Sequence, residues 1–246
     1  GYTKPSGNLI IPNEVINNGI NYVVTAIDNN AFGNCTELET VVIPDNVVII
    51  GDEAFLNCNN LRVVKLGKNI KKIGSSAFLS CTKLQQINLP NTLTEISKHA
   101  FANCSSLEKI VIPDNIKNIE PYTFYSCEKL KEIILPSSLE YVGEAAFAFC
   151  RNIVSLSFSN KLKIVEDKAF SSCVQLKNVN LPDSLISLGS FAFSTCSSLQ
   201  SIEIPSLIRE INNSTFLYCK NLENVVLPND LKEIHKLEGI LKGDNN

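Results

Sequence analysis

The chain of 246 residues contains no methionine, no tryptophan and only two histidines. The shortage of histidine leaves few side chains for general acid–base catalysis near neutral pH. There are 22 basic and 25 acidic side chains, which gives a formal net charge of −3. Because no basic excess is present to hold a phosphate backbone, we expect no nucleic-acid partner. No apolar run approaches the roughly 18 residues of a transmembrane helix, so we expect no membrane insertion.

The sequence also lacks the short motifs that carry common enzyme chemistry. Neither the phosphate-binding G-x-x-x-x-G-K-[ST] nor the dinucleotide-binding G-x-G-x-x-G occurs. The zinc motif H-E-x-x-H and the nucleophile motif G-x-S-x-G are absent as well. We therefore expect a non-enzymatic protein that needs no cofactor and no metal.

What the sequence has instead is a strict internal period of 23 residues. Phenylalanine recurs at 32, 55, 78, 101, 124, 147, 170, 193 and 216, and cysteine follows three residues after each of them. These positions account for all nine cysteines of the chain. A fixed period of this length predicts a solenoid, in which like units stack and each buries its apolar face on its neighbours.

Each unit follows the pattern A-F-x-x-C-x-x-L-x-x-V-x-I-P-x-x-V-x-x-I-G-x-x. In the first unit Val41 and Ile43 alternate with polar or outward positions, which predicts a short strand with both side chains inward. Pro44 suits the exit of that strand because proline has no N–H for a ladder. The Ala31–Cys35 segment is too short for a regular helix. We therefore predict an α/β solenoid with a curved parallel sheet on its concave face. Short turns, 3₁₀ turns or single-turn helices are expected on the other face.

The predicted domain organisation is one solenoid over residues 1–246. We expect an N-terminal β-hairpin cap at 1–27, because N-N-G separates two β-rich runs there. Nine to ten repeats are expected over 28–234. Residues 235–246 depart from the period and are expected to be a frayed tail or an artificial chain boundary. Since a solenoid needs a polar terminal cap, we expect the natural protein to continue beyond this segment.

The recurring cysteine admits three explanations. It can be a small apolar side chain in a tight internal column, where its size is what matters. Disulfide bonds are a second explanation, but nine is an odd number and the Cβ vectors of stacked residues point the same way. Metal binding is a third, although zinc sites prefer close cysteine pairs and these cysteines lie 23 residues apart. The first explanation predicts buried and unreactive thiols.

The outward positions of the predicted strands give a candidate binding surface. Its residues are Lys65, Lys109, Val111, Glu132 and Ile134. Exposed apolar side chains flanked by charges can mark an interaction site, although β-branched residues also occur on exposed strands for their strand propensity alone. We predict a protein-binding site here.

Two further surface features stand outside that sheet. Tyr122, Tyr141 and Phe149 are expected as neighbours on the opposite surface, and tyrosine is common in recognition patches. Aspartates follow the strand-ending proline in some units, at 45, 114 and 183. They indicate either a calcium ladder or the ordinary preference of aspartate for turns.

The units, for example CTKLQQINLPNTLTEISKHAF at 81–101, resemble the BspA-like, or Treponema pallidum-type, leucine-rich repeats. The resemblance covers nearly the whole chain, from about residue 9 to 234, and includes the lead-in at 11–27. It implies a bacterial or protist protein that is secreted or displayed at the cell surface. Many relatives are described as adhesins that contact host matrix proteins or other cells, and the family has no catalytic residues to carry over.

These observations lead to one functional expectation and two alternatives. We expect a protein-binding module that is monomeric in isolation and whose partner is a protein. The family resemblance implies a host extracellular-matrix protein as that partner. The first alternative is a rigid spacer that presents another domain. The second is a carbohydrate-binding module, which the absence of tryptophan and of an aromatic groove argues against.

Overall fold

The computed structural model describes residues 4–212 and 214–234. Successive 23-residue units form successive coils of a solenoid, and the strands of neighbouring coils pair in parallel. The predicted stack of parallel coils is therefore confirmed. Residues 235–246, predicted as a tail or boundary, lie outside the described residues.

The longer strands of the coils lie side by side and define what we call the sheet face. The first strand of this face is β1 (Gly7–Ile10), near the N-terminus. The others, one from each coil, are β5 (Leu38–Val42), β7 (Val63–Lys65), β9 (Gln86–Ile87), β11 (Lys109–Val111), β13 (Glu132–Ile134), β15 (Ser155–Ser157), β17 (Asn178–Asn180), β19 (Ser201–Glu203) and β21 (Asn224–Val226). Hydrogen bonds join these strands into three sheets. One sheet has six strands, β1, β5, β7, β9, β11 and β13, and the other two are the pairs β15 with β17 and β19 with β21. Val41, Val64, Ile87 and Ile110, which the 23-residue period makes equivalent, lie on successive strands of the six-stranded sheet.

A second set of two-residue strands pairs on another side of the stack, which the sequence did not predict. Its members are β4 (Ala26–Ile27), β6 (Ile49–Ile50), β8 (Lys72–Ile73), β10 (Glu95–Ile96), β12 (Asn118–Ile119), β14 (Tyr141–Val142), β16 (Ile164–Val165), β18 (Ser187–Leu188), β20 (Glu210–Ile211) and β22 (Glu233–Ile234). Their second residues point into the core, as the burial of Ile50 and Ile73 illustrates. Each coil thus closes around the interior from two sheets and one turn region.

The remaining two strands form a hairpin near the N-terminus, β2 (Glu14–Asn17) and β3 (Ile20–Val23), paired antiparallel. Asn18 and Gly19 connect them with φ of 50° and 78°. Positive φ at both central residues is the geometry of a type I′ turn, which matches the twist of the flanking strands. The hairpin residues are exposed. Its role as a cap remains a prediction.

The core consists of columns of identical or similar side chains, one per coil. Val41 and Ile43 are 0% and 2% exposed, so the predicted inward orientation is confirmed. The phenylalanine rings stack along the solenoid axis, with centroids 5.2 to 6.0 Å apart in consecutive coils. Their planes are within 14° of parallel. At this spacing offset-stacked rings attract each other beyond the gain from burying their area.

The segment around the phenylalanine is a series of turns, and no helix occurs in residues 4–212 and 214–234. The predicted turns are present, but the predicted single-turn helices are not confirmed. The N–H of Cys35 closes a turn onto the carbonyl of Phe32 at 3.2 Å. The N–H groups of Phe32 and Asn34 instead donate to the next coil, to the carbonyls of Ala54 and Leu56 at 2.8 and 2.6 Å. Along this segment, every second N–H group closes a turn within its own coil, and the N–H groups between them donate to the next coil.

Left-handed backbone at two positions of each turn segment explains why no helix forms. The first position holds Asn30, Glu53, Ser76, His99, Tyr122, Ala145, Lys168, Phe191 and Ser214, and the second holds Asn34, Asn57, Ser80, Asn103, Ser126, Phe149, Ser172, Thr195 and Tyr218. All have φ between 48° and 63°. A right-handed helix cannot continue through such a residue. The hydrogen bonds between coils offset the cost of this backbone conformation.

Eight of the nine buried cysteines, Cys58 and those of all later coils, also donate a hydrogen bond to the preceding coil. The Sγ of Cys58 lies 3.1 Å from the carbonyl oxygen of Phe32, and the equivalent bonds in later coils measure 3.0 to 3.3 Å. That carbonyl already accepts the N–H of Cys35, so it uses both of its lone pairs. The nine cysteines are free and buried, which confirms the internal column. The small size of cysteine is therefore not the whole reason for its recurrence, because the thiol also donates a hydrogen bond.

We predict that the thiols react only when the chain unfolds. Their side chains are at most 3% exposed, so a thiol reagent such as DTNB has no access to sulfur in the folded protein. Titration at pH 7.5 should detect less than one equivalent in buffer and all nine thiols in 6 M guanidinium chloride. Several fast-reacting equivalents in buffer would contradict the buried column.

A second prediction concerns alkaline pH. Burial raises the pKa of Cys104 to about 12, against about 8.5 for an exposed thiol. Between these values the unfolded chain loses the thiol proton and the folded chain keeps it, so the free energy of unfolding decreases as pH rises. Urea titrations should give constant stability up to about pH 8 and a progressive loss above about pH 9. The Cys104→Ala variant should lose stability with a shallower slope, and equal slopes would contradict the account.

Candidate protein-binding surface

Four of the five predicted site residues meet on two adjacent strands of the sheet face. Lys109 pairs with Glu132 and Val111 pairs with Ile134 across β11 and β13. The Nζ of Lys109 lies 2.8 Å from the Oε2 of Glu132, and this hydrogen bond lowers the pKa of the Glu132 carboxyl. Val111 is 46% exposed and Ile134 is 53% exposed. We call these four residues the central patch.

The fifth predicted residue lies apart from the central patch. Lys65 is on β7, and β9 separates that strand from β11. Its direct neighbour on the sheet face is Val42. Lys65 is exposed, but the structure does not bring it together with the other four residues.

The central patch can contribute to an interface because it joins exposed apolar area to a fixed ion pair. Val111 and Ile134 offer branched side chains whose burial against a partner would be favourable. Lys109 and Glu132 form an ion pair beside these apolar side chains. An exposed ion pair of this kind adds little to the stability of the fold. An apolar centre with a charged border is the usual anatomy of a protein interface.

Other parts of the sheet face have a different character. In the C-terminal half, the outward side chains of β15, β17 and β19 are mainly serine and asparagine: Ser155, Ser157, Asn178, Asn180 and Ser201. These residues offer hydroxyl and amide groups and little apolar area. Exposed apolar side chains also occur on other strands of the sheet face, at Ile10, Val63 and Val226, but Val111 and Ile134 form a directly paired couple in the middle of the stack.

The turn side of the same coils carries an aromatic cluster. His99 stacks on Tyr122 with ring centroids 4.9 Å apart and planes 1° from parallel. The ring centroid of Tyr125 lies 5.8 Å from that of Tyr122. It lies 5.4 Å from the ring centroid of Phe149, and these two rings meet edge to face. The guanidinium of Arg151 lies over the Phe149 ring at 5.9 Å. These five residues form one continuous, half-exposed surface.

The sequence predicted only part of this cluster. Tyr122 and Phe149 belong to it, but they connect through Tyr125, which sequence reasoning missed. Tyr141, expected as a third neighbour, lies on β14 in the set of shorter strands. A signal for Tyr125 and Arg151 does exist in the sequence. Each lies within three residues of a predicted aromatic neighbour, Tyr125 after Tyr122 and Arg151 after Phe149.

Hydrogen bonding and burial set the protonation of the aromatic cluster. The hydroxyl of Tyr122 donates to the Oε1 of Glu144 at 2.6 Å, which raises the pKa of Tyr122. Desolvation, with a smaller contribution from Lys98, lowers the pKa of His99. His99 lies in a turn, and its ring is half-buried on Tyr122. Both side chains are therefore neutral near pH 7 and suit packing more than proton transfer.

The aspartates after the strand-ending proline act mainly as turn residues. The Oδ1 of Asp45 accepts the N–H of Lys68 at 2.9 Å, and that of Asp114 accepts the N–H of Ser137 at 2.7 Å. These N–H groups lower the pKa of both carboxyls. Over the described ranges, no group of three or more His, Cys, Asp or Glu side chains is placed to hold a metal ion. The turn explanation accounts for Asp45 and Asp114.

We also find, in residues 4–212 and 214–234, no helical segment with the length and hydropathy that crossing a bilayer requires.

Comparison with known proteins assigns the repeat. The model of the family described as "BspA type Leucine rich repeat region" matches residues 25–154 and 117–237, with 6 copies of its unit. No curated protein matches the chain.

Solved structures that resemble the chain include bacterial leucine-rich repeat proteins. One from Bacteroides ovatus is 32% identical, with a TM-score of 0.89 over 97% of this chain. This chain spans only 62% of the length of that protein. The T. pallidum leucine-rich repeat protein is 27% identical, with a TM-score of 0.55 over 78% of this chain and 77% of its own.

A leucine-rich cell surface protein from Faecalibacterium prausnitzii shares the fold at 22% identity. Its TM-score is 0.55, and the match covers 93% of this chain and 87% of that protein. The 23-residue period, the stack of parallel coils and the family match lead to one conclusion. The chain belongs to the BspA-type leucine-rich repeat family.

Proposed function

We propose that this chain is a non-enzymatic protein-binding module of a secreted or cell-surface bacterial protein. It engages a protein partner through the central patch on the sheet face. The observation that carries the proposal is the exposed pair Val111 and Ile134, bordered by the ion pair of Lys109 and Glu132. Extended sheet surfaces are where solenoids commonly bind their partners.

Adhesion to host matrix proteins or to other cells is the purpose that we propose for this binding. The repeat family supports it, and so does the description of the Faecalibacterium prausnitzii relative as a cell surface protein. A location outside the cell is compatible with nine free cysteines, because burial protects their thiols from oxidation. The module does not need a catalytic group for this role.

The test is a binding assay with a double substitution in the central patch. Lys109→Glu and Ile134→Asp together should weaken binding to a responsive partner at least tenfold, a loss of about 1.4 kcal/mol. Both side chains are more than half exposed, so the fold should remain intact. The measurement is biolayer interferometry against a panel of purified extracellular-matrix proteins, with a glycan array beside it.

Two residues that lie directly before the shorter strands β16 and β18 offer a closely matched control, Lys163→Glu with Ile186→Asp. Lys163 is 59% exposed and lies near Glu140, and Ile186 is 55% exposed. The control makes the same changes in charge and hydropathy away from the sheet face, so it should leave binding unchanged. Equal losses in the two variants would contradict a sheet-face site.

Two other outcomes decide between functions. If no matrix protein binds the wild-type chain, the proposal fails for this class of partner and the rigid-spacer alternative is favoured. Saturable binding on the glycan array, without binding to the protein panel, would favour the carbohydrate-binding alternative.

A further inference from the structure

A groove of about 550 Å³ lies at the C-terminal ends of β17, β19 and β21. Its lining comes from three consecutive coils, at the points where the strands turn away from the sheet face. It crosses the place where β17 and β19 belong to separate hydrogen-bonded sheets. A volume in this range accommodates a small ligand or a side chain with its flanking backbone.

Two carboxylates in this groove have no partner within the described part of the chain. Asp183 occupies the same position of the period as Asp45 and Asp114, which accept N–H groups of the following coil. Within residues 4–212 and 214–234, Asp183 makes no such bond, and the side chain of Glu203 has neither a hydrogen bond nor an ion pair. Their acceptor capacity is therefore available to a ligand.

The remaining lining has the chemistry to hold a long cationic side chain. Leu227 and Val226 are 39% and 57% exposed and give the groove an apolar wall. The amides of Asn180 and Asn229 add donors and acceptors. The described lining residues include no lysine, arginine or histidine, so the negative charge of Asp183 and Glu203 is not neutralised from within the groove.

The nearby Arg209 is not a lining residue of the groove, and its guanidinium is already engaged by other groups. Its guanidinium donates to the carbonyl oxygen of Ser206 at 2.7 Å and lies 3.9 Å from the Oδ2 of Asp230. It pairs with neither Asp183 nor Glu203. The groove thus keeps a net negative charge that a partner can complement.

We propose that this groove binds an arginine or lysine side chain presented by an extended segment of a protein partner. The charged group lies between Asp183 and Glu203, where a guanidinium can form charge-assisted hydrogen bonds. The aliphatic stem packs along Val226 and Leu227, since long cationic side chains readily cover apolar surface. The site is separate from the central patch and does not depend on the function proposed for that patch.

A neutral sugar fits the groove less well. The described lining residues contain no aromatic ring on which a sugar could stack. Carboxylates also accept hydrogen bonds from hydroxyl groups, but a neutral sugar leaves the negative charge of Asp183 and Glu203 uncompensated. Carbohydrate binding is therefore an outcome of the test that would overturn the proposal.

The test uses short capped peptides and the intact chain. The probe is acetyl-Ser-Arg-Ser-amide, and its matched control replaces arginine with citrulline, which keeps the shape and removes the charge. Two-dimensional ¹H–¹⁵N NMR should show saturable shifts of the amides of Asn180, Ser206 and Asn229 with the arginine peptide. The citrulline peptide should bind at least tenfold more weakly.

Variants identify which carboxylates act. Asp183→Asn with Glu203→Gln should raise the dissociation constant of the arginine peptide at least tenfold, and both side chains are exposed, so folding should not change. Asp114→Asn removes a carboxylate at the equivalent position of another coil and should leave binding unchanged. Equal shifts with the citrulline peptide, no shifts with the arginine peptide, or shifts that persist in the double variant would overturn the proposal. Shifts of these amides by neutral oligosaccharides alone would do so as well.

Discussion

From Cys58 onward, each cysteine thiol donates a hydrogen bond to the phenylalanine carbonyl of the preceding coil, and the rest of the fold depends on the register that this bond requires. The carbonyl of Phe32 closes a turn with the N–H of Cys35 and receives the Sγ of Cys58 from the next coil. The same step of 23 residues places Phe55 on Phe32 in the ring stack. A shift of one residue would separate every thiol from its acceptor and every ring from its neighbour. The register therefore stabilises all columns at once.

This constraint also determines where function can reside. The interior columns repeat the same residues because each coil must match the next, so they cannot encode a specific partner. The outward columns are free to vary. The central patch, the aromatic cluster around Tyr122 and the groove beside Asp183 all arise where an outward column departs from its usual composition. A uniform scaffold thus carries several local surfaces, each built from residues that lie 23 positions apart.

The period made much of this fold predictable. It identified the parallel coils, the inward Val41 and the buried cysteines without any structural information. The left-handed turns were not predictable, because their positions hold residues as different as Glu53 and Ala145 in place of a glycine signature. Strands of two residues are too short to leave an alternating pattern.

For the candidate sites, column reading placed Lys109 beside Glu132, but it also included the distant Lys65. The repeat gives adjacency along one column reliably, because neighbouring coils pair in register. It does not say which side chains are already satisfied. The free carboxylate of Asp183 could be recognised only by comparing its hydrogen bonding with that of Asp45 and Asp114.

A matched pair of internal deletions tests the register most directly. Removing residues 82–104 takes out one full period of 23 residues, and removing residues 82–103 takes out 22 and shifts all later coils by one position. If the columns stabilise the fold as described, the first variant keeps a cooperative thermal transition by circular dichroism and protected thiols. The second variant loses the single cooperative transition and the protection of the thiols next to the junction, where the coils on either side are out of register by one residue. Equal stability of the two variants, or unfolding of the first alone, would contradict the account.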